Sequence, residues 1–368
     1  MSQPSQNHLN GSRHTLTDRE EDASYWASKI AFRLRSSLSR KDAAKRVFPR
    51  VPQTSQERRD ASLTEIPLDA AILTQSDIRA AEEKQKTVLY LAYGSNLCNE
   101  TFRGKRGIKP LSQVNVVVPS LRLTFDLPGI PYTEPCFANS AARDPESSSR
   151  HVEEADYHKD RWHKGMVGCV YEVTPTDYAH IIATEGGGAS YEDILVDCYP
   201  LPDADVVPSI PATPGFKAHT LFAPAAPSTA TCATHITSHF SRPNPSYAQP
   251  SARYLKLITD GATELSLPRE YQAYLHDIRT YTITTKRQAV GKAIFTGIWM
   301  PIVMLLFSLG KMLQDEQGRI PKWLGMVLAW VFVGMWKFYD GGFKKVYGDG
   351  ERTEGDDAGD AMVERYKD

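Results

Sequence analysis

Two apolar stretches near the C-terminus limit what this chain can fold into. Ala293–Gly310 contains no charged residue, and Ile320–Tyr339 contains only Lys322 and Lys337, both at its edges. A helix needs about 20 residues to cross ~30 Å of hydrocarbon, so both stretches are slightly short but adequate. Each is apolar on all sides rather than on one face, a pattern of lipid-embedded or fully buried helices. Trp299, Trp323, Trp330, Trp336 and Tyr339 add aromatic rings suited to a lipid–water boundary. The polar linker Lys311–Arg319 is short, so the expectation is an antiparallel two-helix transmembrane hairpin over 286–345. It would meet the lipid bilayer through 293–339, with both ends on one side. A pair of buried core helices is the other reading. Lys286, Arg287, Lys292, Lys337, Lys344 and Lys345 flank one end, and Lys311, Arg319 and Lys322 flank the other. With basic residues on both sides, the positive-inside rule leaves the orientation open.

The chain of 368 residues as a whole is ordinary in composition and carries a formal net charge of −1. A dedicated nucleic-acid binder would show an excess of positive charge, so that class is set aside. The five cysteines (Cys98, Cys136, Cys169, Cys198, Cys232) are scattered, with no C-x-x-C pair. This argues against a zinc ribbon, a thioredoxin-type motif and a disulfide-stapled fold. The opening residues are polar and lack the apolar core of a signal peptide.

Residues 1–86 are rich in Ser, Gln, Arg, Asp and Glu and read as a largely disordered arm. Within it, 24–50 holds eight Lys/Arg against one acid, Asp42. Trp26, Ile30, Leu34 and Leu38 recur every four residues there, giving a basic amphipathic segment that either lies on an anionic membrane or stays solvated. From Thr87 the pattern changes. Strands are predicted at 88–93, 114–118, 121–125, 166–173, 191–199 and 217–223. A helix opens at Thr174, an N-cap followed by Pro175, and runs to Glu185 before Gly186-Gly187-Gly188. Helices are predicted at 251–263 and 268–278. This order gives an α+β domain over 87–285, followed by an acidic disordered tail at 346–368.

Two places could carry chemistry. Tyr93-Gly94-Ser95-Asn96-Leu97 closes the first strand, and a turn opening toward a helix gathers backbone N–H groups suited to a carboxylate or oxyanion. An ordinary turn capped by Ser95 or Asn96 is the alternative. Glu185 sits in the last turn of its helix, where the dipole disfavours a carboxylate and raises its pKa toward the range useful for proton transfer. A surface Glu before a Gly C-cap is the alternative. His235, four residues before His239 and near Cys232, lies among prolines without an acidic partner and reads as loop rather than metal site.

Taken together, these pieces resemble the gamma-glutamylcyclotransferase family over about residues 87–280. Leu89–Leu97 is similar to its opening signature. Leu123–Asp126, Gly129-Ile130-Pro131-Tyr132, Glu134-Pro135 and Phe137-Ala138 resemble the fungal-type next segment. Glu185 matches the family's catalytic glutamate, and Ser190-Tyr191 with Ile194–Cys198 matches the following strand. Pro250–Ile258, Gly261-Ala262 and Leu267–Tyr271 resemble the closing helices.

The resemblance implies a mixed, partly closed β-sheet or barrel with flanking helices, and a reaction that needs no cofactor and no metal. A γ-glutamyl peptide bends so that its α-amine attacks its own γ-carbonyl, releasing 5-oxoproline and an amino acid or amine. Glu185 is then general base and acid, with Glu192 as runner-up. The Tyr93–Leu97 turn holds the α-carboxylate or oxyanion, and Tyr191 and Tyr254 line the pocket. A catalytically inactive, membrane-tethered γ-glutamyl binding or adaptor protein is the competing reading. With cytosolic substrates, the catalytic domain of the membrane-anchored chain is expected to face the cytosol.

Overall fold

The computed structural model describes residues 47–66, 75–143, 161–185, 192–222, 242, 244, 247–313 and 321–355. Among them the α+β expectation holds. Five strands form the body: β1 (Val88–Ala92), β2 (Ser112–Val118), β5 (Met166–Val173), β6 (Glu192–Pro200) and β7 (Phe216–Phe222). Their spatial order is β1-β5-β2-β6-β7, and Tyr90 of β1 pairs in parallel with His219 of β7, which closes them into a barrel. Every residue of β1 is buried. Valine recurs through β2 and β5, as packing on a pleated surface favours, while β1 is apolar throughout.

β3 (Leu121–Ile130) and β4 (Glu134–Ala142) form a separate antiparallel hairpin. The sequence reading missed β4 as a strand, because Pro135, Ala138, Asn139, Ser140, Ala141 and Ala142 carry weak strand propensity. Pairing with β3 overrides it. At the hairpin tip, Tyr132 adopts a left-handed φ of 62°, a conformation that a residue bearing a Cβ takes at a cost of ~1–2 kcal/mol.

Three sets of helices surround the strands. On one side α3 (Pro175–Glu185) begins at Thr174, whose hydroxyl caps the Asp177 N–H at 3.1 Å. Next come α4 (Ala252–Glu264), capped by Ser251 through the Tyr254 N–H at 3.0 Å, and α5 (Arg269–Asp277). Gly261 of α4 lies so close to the Leu97–Cys98 backbone that a Cβ there would come within 2.6 Å of it. Only glycine lets α4 seat against the turn after β1. The last set is α6 (Lys286–Leu313), α7 (Lys322–Phe338), a π-turn at Tyr339–Phe343 and α8 (Lys344–Tyr347). α6 and α7 pack through Phe295, Val303, Leu328, Phe332 and Met335, while Ile294, Ile298, Ile302, Leu305, Trp323, Val327 and Trp330 face outward. One of the two, Lys286–Gly310 with mean hydropathy 2.0, is long and apolar enough to cross a membrane.

Among the described residues, 47–66 and 75–86 of the arm and 348–355 of the tail depart from the expectation of disorder. In the N-terminal arm, α1 (Gln56–Ala61) and α2 (Gln75–Glu83) are helical. β6 pairs with β2 only at Val116 and Val117, and at Gln113 the arm is hydrogen-bonded alongside β2. The Thr54 N–H donates to Gln113 O and the Gln113 N–H to Pro52 O. Arg58 then bonds Thr87 and pairs with Glu65 at 2.9 Å. A composition argument counts apolar residues and is blind to a segment held by backbone pairing and polar contacts. Residues 24–46 lie outside the described residues. In the acidic tail, 348–355 is likewise ordered, with Asp349 8% and Glu351 2% exposed.

Candidate active site

β5 is antiparallel to β1 and ends at Val173, opposite Val88. α3 therefore turns back alongside β1, placing Tyr178 against Tyr90 with ring centroids 6.1 Å apart. Glu185, seven residues on, closes the helix ~10 Å further along. Topology thus brings the C-terminus of α3 to the end of β1 where the chain turns at Gly94. The Glu185 side chain lies outside the described residues, as does Tyr191. Glu192 opens β6, and its side chain also falls outside them.

The Tyr93–Leu97 turn is a single 3-10 turn, Ser95–Leu97, following Gly94. Ser95 and Asn96 are buried. The Asn96 side-chain amide donates to Tyr90 Oη at 2.9 Å, so β1 fixes its orientation. Leu97 differs from the other members of the turn. Its N–H donates to Gly94 O at 3.0 Å, and its backbone is covered by Gly261. It is a packing residue and not a donor to a ligand. The Cys98 N–H is likewise taken by Ser95 O. Burial pushes the Cys98 thiol up, which makes it a poor nucleophile.

Tyr254, on the first turn of α4, meets this turn. A Cβ on Gly94 would stand 3.7 Å from Tyr254 Oη and 3.6 Å from Ala138 Cβ. The Ala138 N–H of β4 donates to Tyr254 Oη at 3.2 Å, and the Tyr254 ring stands edge-on to Phe137 at 5.0 Å. Gly94, Ala138 and Tyr254 therefore converge from three elements. Glu134 underpins them: its buried carboxylate accepts from Ser251 Oγ at 2.7 Å and pairs with Arg253.

A second polar group was not singled out in the sequence. His219, 2% exposed, has Nδ1 2.7 Å from Asp193 Oδ2 and Nε2 3.2 Å from Glu65 Oε2. The Tyr178 hydroxyl donates to Asp193 Oδ1 at 2.5 Å. Burial alone would lower the His219 pKa, but the two carboxylates outweigh it and hold it at about 9. The available signal was a His and an Asp set among the apolar residues of adjacent strands. The network ties α3 to β6 and so joins the two elements flanking residues 186–191.

Among the described residues, no group of three His, Cys, Asp or Glu is placed to hold a metal ion. Cys232, His235 and His239 lie outside them.

The AclK C-terminal domain family model matches residues 285–346, the span of the apolar helices. Over 275 residues the chain is 34% identical to the gamma-glutamyl cyclotransferase gliK of Aspergillus fumigatus, covering 74% of this chain and 92% of that protein. It is 28% identical to the gamma-glutamyl cyclotransferase aclK of Aspergillus oryzae, covering 73% of this chain and 92% of that protein. Among solved structures it is similar to one titled gamma-glutamyl cyclotransferase, with a TM-score of 0.36, 19% identity, and coverage of 55% of this chain and 93% of that one.

Proposed function

Since the chain belongs to the gamma-glutamyl cyclotransferase family and is an enzyme of that class, we propose that it cyclises a γ-glutamyl peptide to 5-oxoproline with release of an amino acid or amine. The observation carrying this reading is the convergence at one end of the barrel. There Tyr254 Oη lies against the Gly94 turn, and α3, which runs alongside β1, is directed toward the same end. The reaction is intramolecular, so holding the glutamyl group bent supplies much of the rate. In the proposed mechanism Glu185 takes the proton of the α-amine and returns it to the leaving nitrogen, a contribution of ~10²–10⁴-fold. Its place at a helix C-terminus favours the protonated form and suits it to both roles. The N–H groups of Gly94, Ser95 and Asn96 are assigned to the α-carboxylate or the developing oxyanion, with Tyr191 and Tyr254 as further donors.

The membrane part of the reading rests on the outward aliphatic and aromatic faces of α6 and α7. Arg287 donates to Val346 O and to Lys345 O. Both ends of the helical pair are therefore adjacent, on the side of the barrel. Lys286, Arg287, Lys292, Lys337, Lys344 and Lys345 gather there, against Lys311, Arg319 and Lys322 at the far loop. With basic residues at both ends the charge pattern leaves the orientation open, and the catalytic domain is assigned to the cytosolic side because its γ-glutamyl substrates are expected there.

The test is 5-oxoproline release by the full chain in lipid nanodiscs, from a panel of γ-glutamyl dipeptides and glutathione. Wild type should turn over at least one member, and Glu185→Gln should lose ~10²-fold or more in kcat. Equal turnover by the two proteins would remove Glu185 from the mechanism. Binding of γ-glutamyl peptides without turnover would favour a silent binding protein.

A further inference from the structure

The segment 348–355 lies across the junction between the helical pair and the barrel. Gly348 and Gly355, with φ of 85° and 93°, mark its ends. Its backbone is gripped from three directions. Gly350 O accepts the Tyr132 N–H at 2.7 Å, at the tip of the β3–β4 hairpin, and Glu351 O accepts the Gln249 N–H at 2.8 Å. Asp349 O accepts from Tyr281 Oη at 3.1 Å and from Gln288 Nε2 at 2.8 Å. Gln249, fully buried, returns the contact: its side-chain oxygen accepts from the Thr353 N–H and hydroxyl at 2.9 and 2.7 Å. The Asp349 carboxylate knots the strap in place. It lies 2.8 Å from Lys344 Nζ and accepts from the Tyr247 hydroxyl at 2.5 Å and the Glu351 N–H at 2.7 Å.

Two routes lead from this strap to the candidate site, and they meet at one hydrogen bond. Gln249 precedes Ser251, whose hydroxyl caps α4 at the Tyr254 N–H. Tyr132 precedes Glu134, which accepts from that same Ser251 hydroxyl. β4 then runs on to Ala138, whose N–H donates to Tyr254 Oη. The strap thus holds both walls that present Tyr254 to Gly94. Tyr132 keeps its left-handed backbone while its N–H is bonded to Gly350 and its hydroxyl to Gly348 O at 2.7 Å.

We propose that the strap 348–355 positions Tyr254, so that the C-terminal helical unit is a working part of the catalytic domain rather than a detachable anchor. Asp349, Gln249 and Tyr132 are its positioning residues. The proposal rests on the reading of Tyr254 as a pocket residue.

The experiment is a double-mutant cycle on the full chain in nanodiscs, using Asp349→Ala, Tyr254→Phe and the pair. Asp349→Ala is expected to lower kcat/KM about tenfold or more, in line with misplacement remote from the chemistry. In the Tyr254→Phe background the same change should have less than about a threefold effect, because the group it positions is gone. Asp349→Asn, which keeps an acceptor for the Glu351 N–H, should recover part of the loss. Equal losses in both backgrounds overturn the proposal, as does a lower melting temperature with unchanged kcat/KM. If Asp349→Ala does not fold, Thr353→Val, which removes only hydroxyl bonds, carries the same cycle.

Amide hydrogen exchange provides a readout independent of turnover. Asp349→Ala should speed exchange at Ala138 while Val167–Val170 of β5 stay as slow as in wild type. Unchanged protection at Ala138 sinks the proposal. Because this readout needs no substrate, a failed cyclisation reaction and a failed strap are told apart.

Discussion

The molecule contains two buried polar networks of similar build, and they differ in what holds their charge. One joins Asp193, Glu65 and Tyr178 around His219, on the wall shared by β6, β7 and α3. The other joins Asp349 and Glu351 to Arg242 and Lys344, where the strap crosses the foot of the helical pair. In each, a terminal segment of the chain supplies a carboxylate that pins a distant element. The first depends on an imidazolium, a cation that is lost as pH rises through its raised pKa of about 9. The second depends on a guanidinium and an ammonium, which keep their charge there. The first network should therefore loosen on the alkaline side. The second is held by a carboxylate, Asp349, that burial pushes up but Lys344, Tyr247 and the Glu351 N–H hold below its usual range. That stabilisation is present at neutral pH and is lost as pH falls through the depressed pKa.

The largest expected effect comes from removing the partner of a buried charge. Asp193→Ala leaves His219 with Glu65 alone and strips the Tyr178 hydroxyl of its acceptor. Breaking a buried pair in this way costs about 3–5 kcal/mol. Urea or thermal unfolding of the full chain should report a loss of that size, and a loss below ~1 kcal/mol would show the network to be solvated.

A smaller effect separates the two networks by pH. Folded His219 holds its proton up to about pH 9, against 6.5 for the ordinary side chain. A raised pKa gives stabilisation that is complete below the unfolded value and disappears as pH rises through the folded one. Between pH 6.5 and 9 wild type should lose stability on the order of 3 kcal/mol. His219→Gln should flatten that slope, whereas Asp349→Asn should leave it intact. An unchanged slope in His219→Gln would place the titration elsewhere.

The features legible in the sequence were those decided within a few residues. Thr174 caps its helix as its position implies, and Gly94 turns the chain where an apolar run stops. The parts that were not legible depend on partners far along the chain. Gln53 reads as polar arm until Gln113 is beside it. Asp349 and Glu351 read as solvated tail until Lys344, Tyr247 and Arg242 surround them. β4 shows weak strand propensity and becomes a strand against β3. At the candidate site the turn was read from the residues and Tyr254 from the family resemblance, and the two lie side by side. The support they share through Glu134 and the strap was not, because no local pattern encodes a carboxylate 117 residues from the serine it holds.

Exposure sharpens the comparison within the second network, at the smallest scale. Arg242 divides its guanidinium between two carboxylates, with Asp340 at 2.5 and 2.8 Å and Glu351 at 3.0 and 2.8 Å. The geometry is equally good on both sides, but the Asp340 side chain is 44% exposed and that of Glu351 only 3%. Water already solvates most of what Asp340 would lose, so Asp340→Asn should cost less than ~1 kcal/mol. Glu351→Gln places an amide donor against a buried guanidinium and should cost about 2 kcal/mol. The same pair of variants separates stability from positioning. Glu351 belongs to the strap, so its replacement should also speed exchange at Ala138, whereas Asp340→Asn should leave that amide as slow as in wild type. If both variants speed it equally, Arg242 rather than the strap carries the connection to Tyr254.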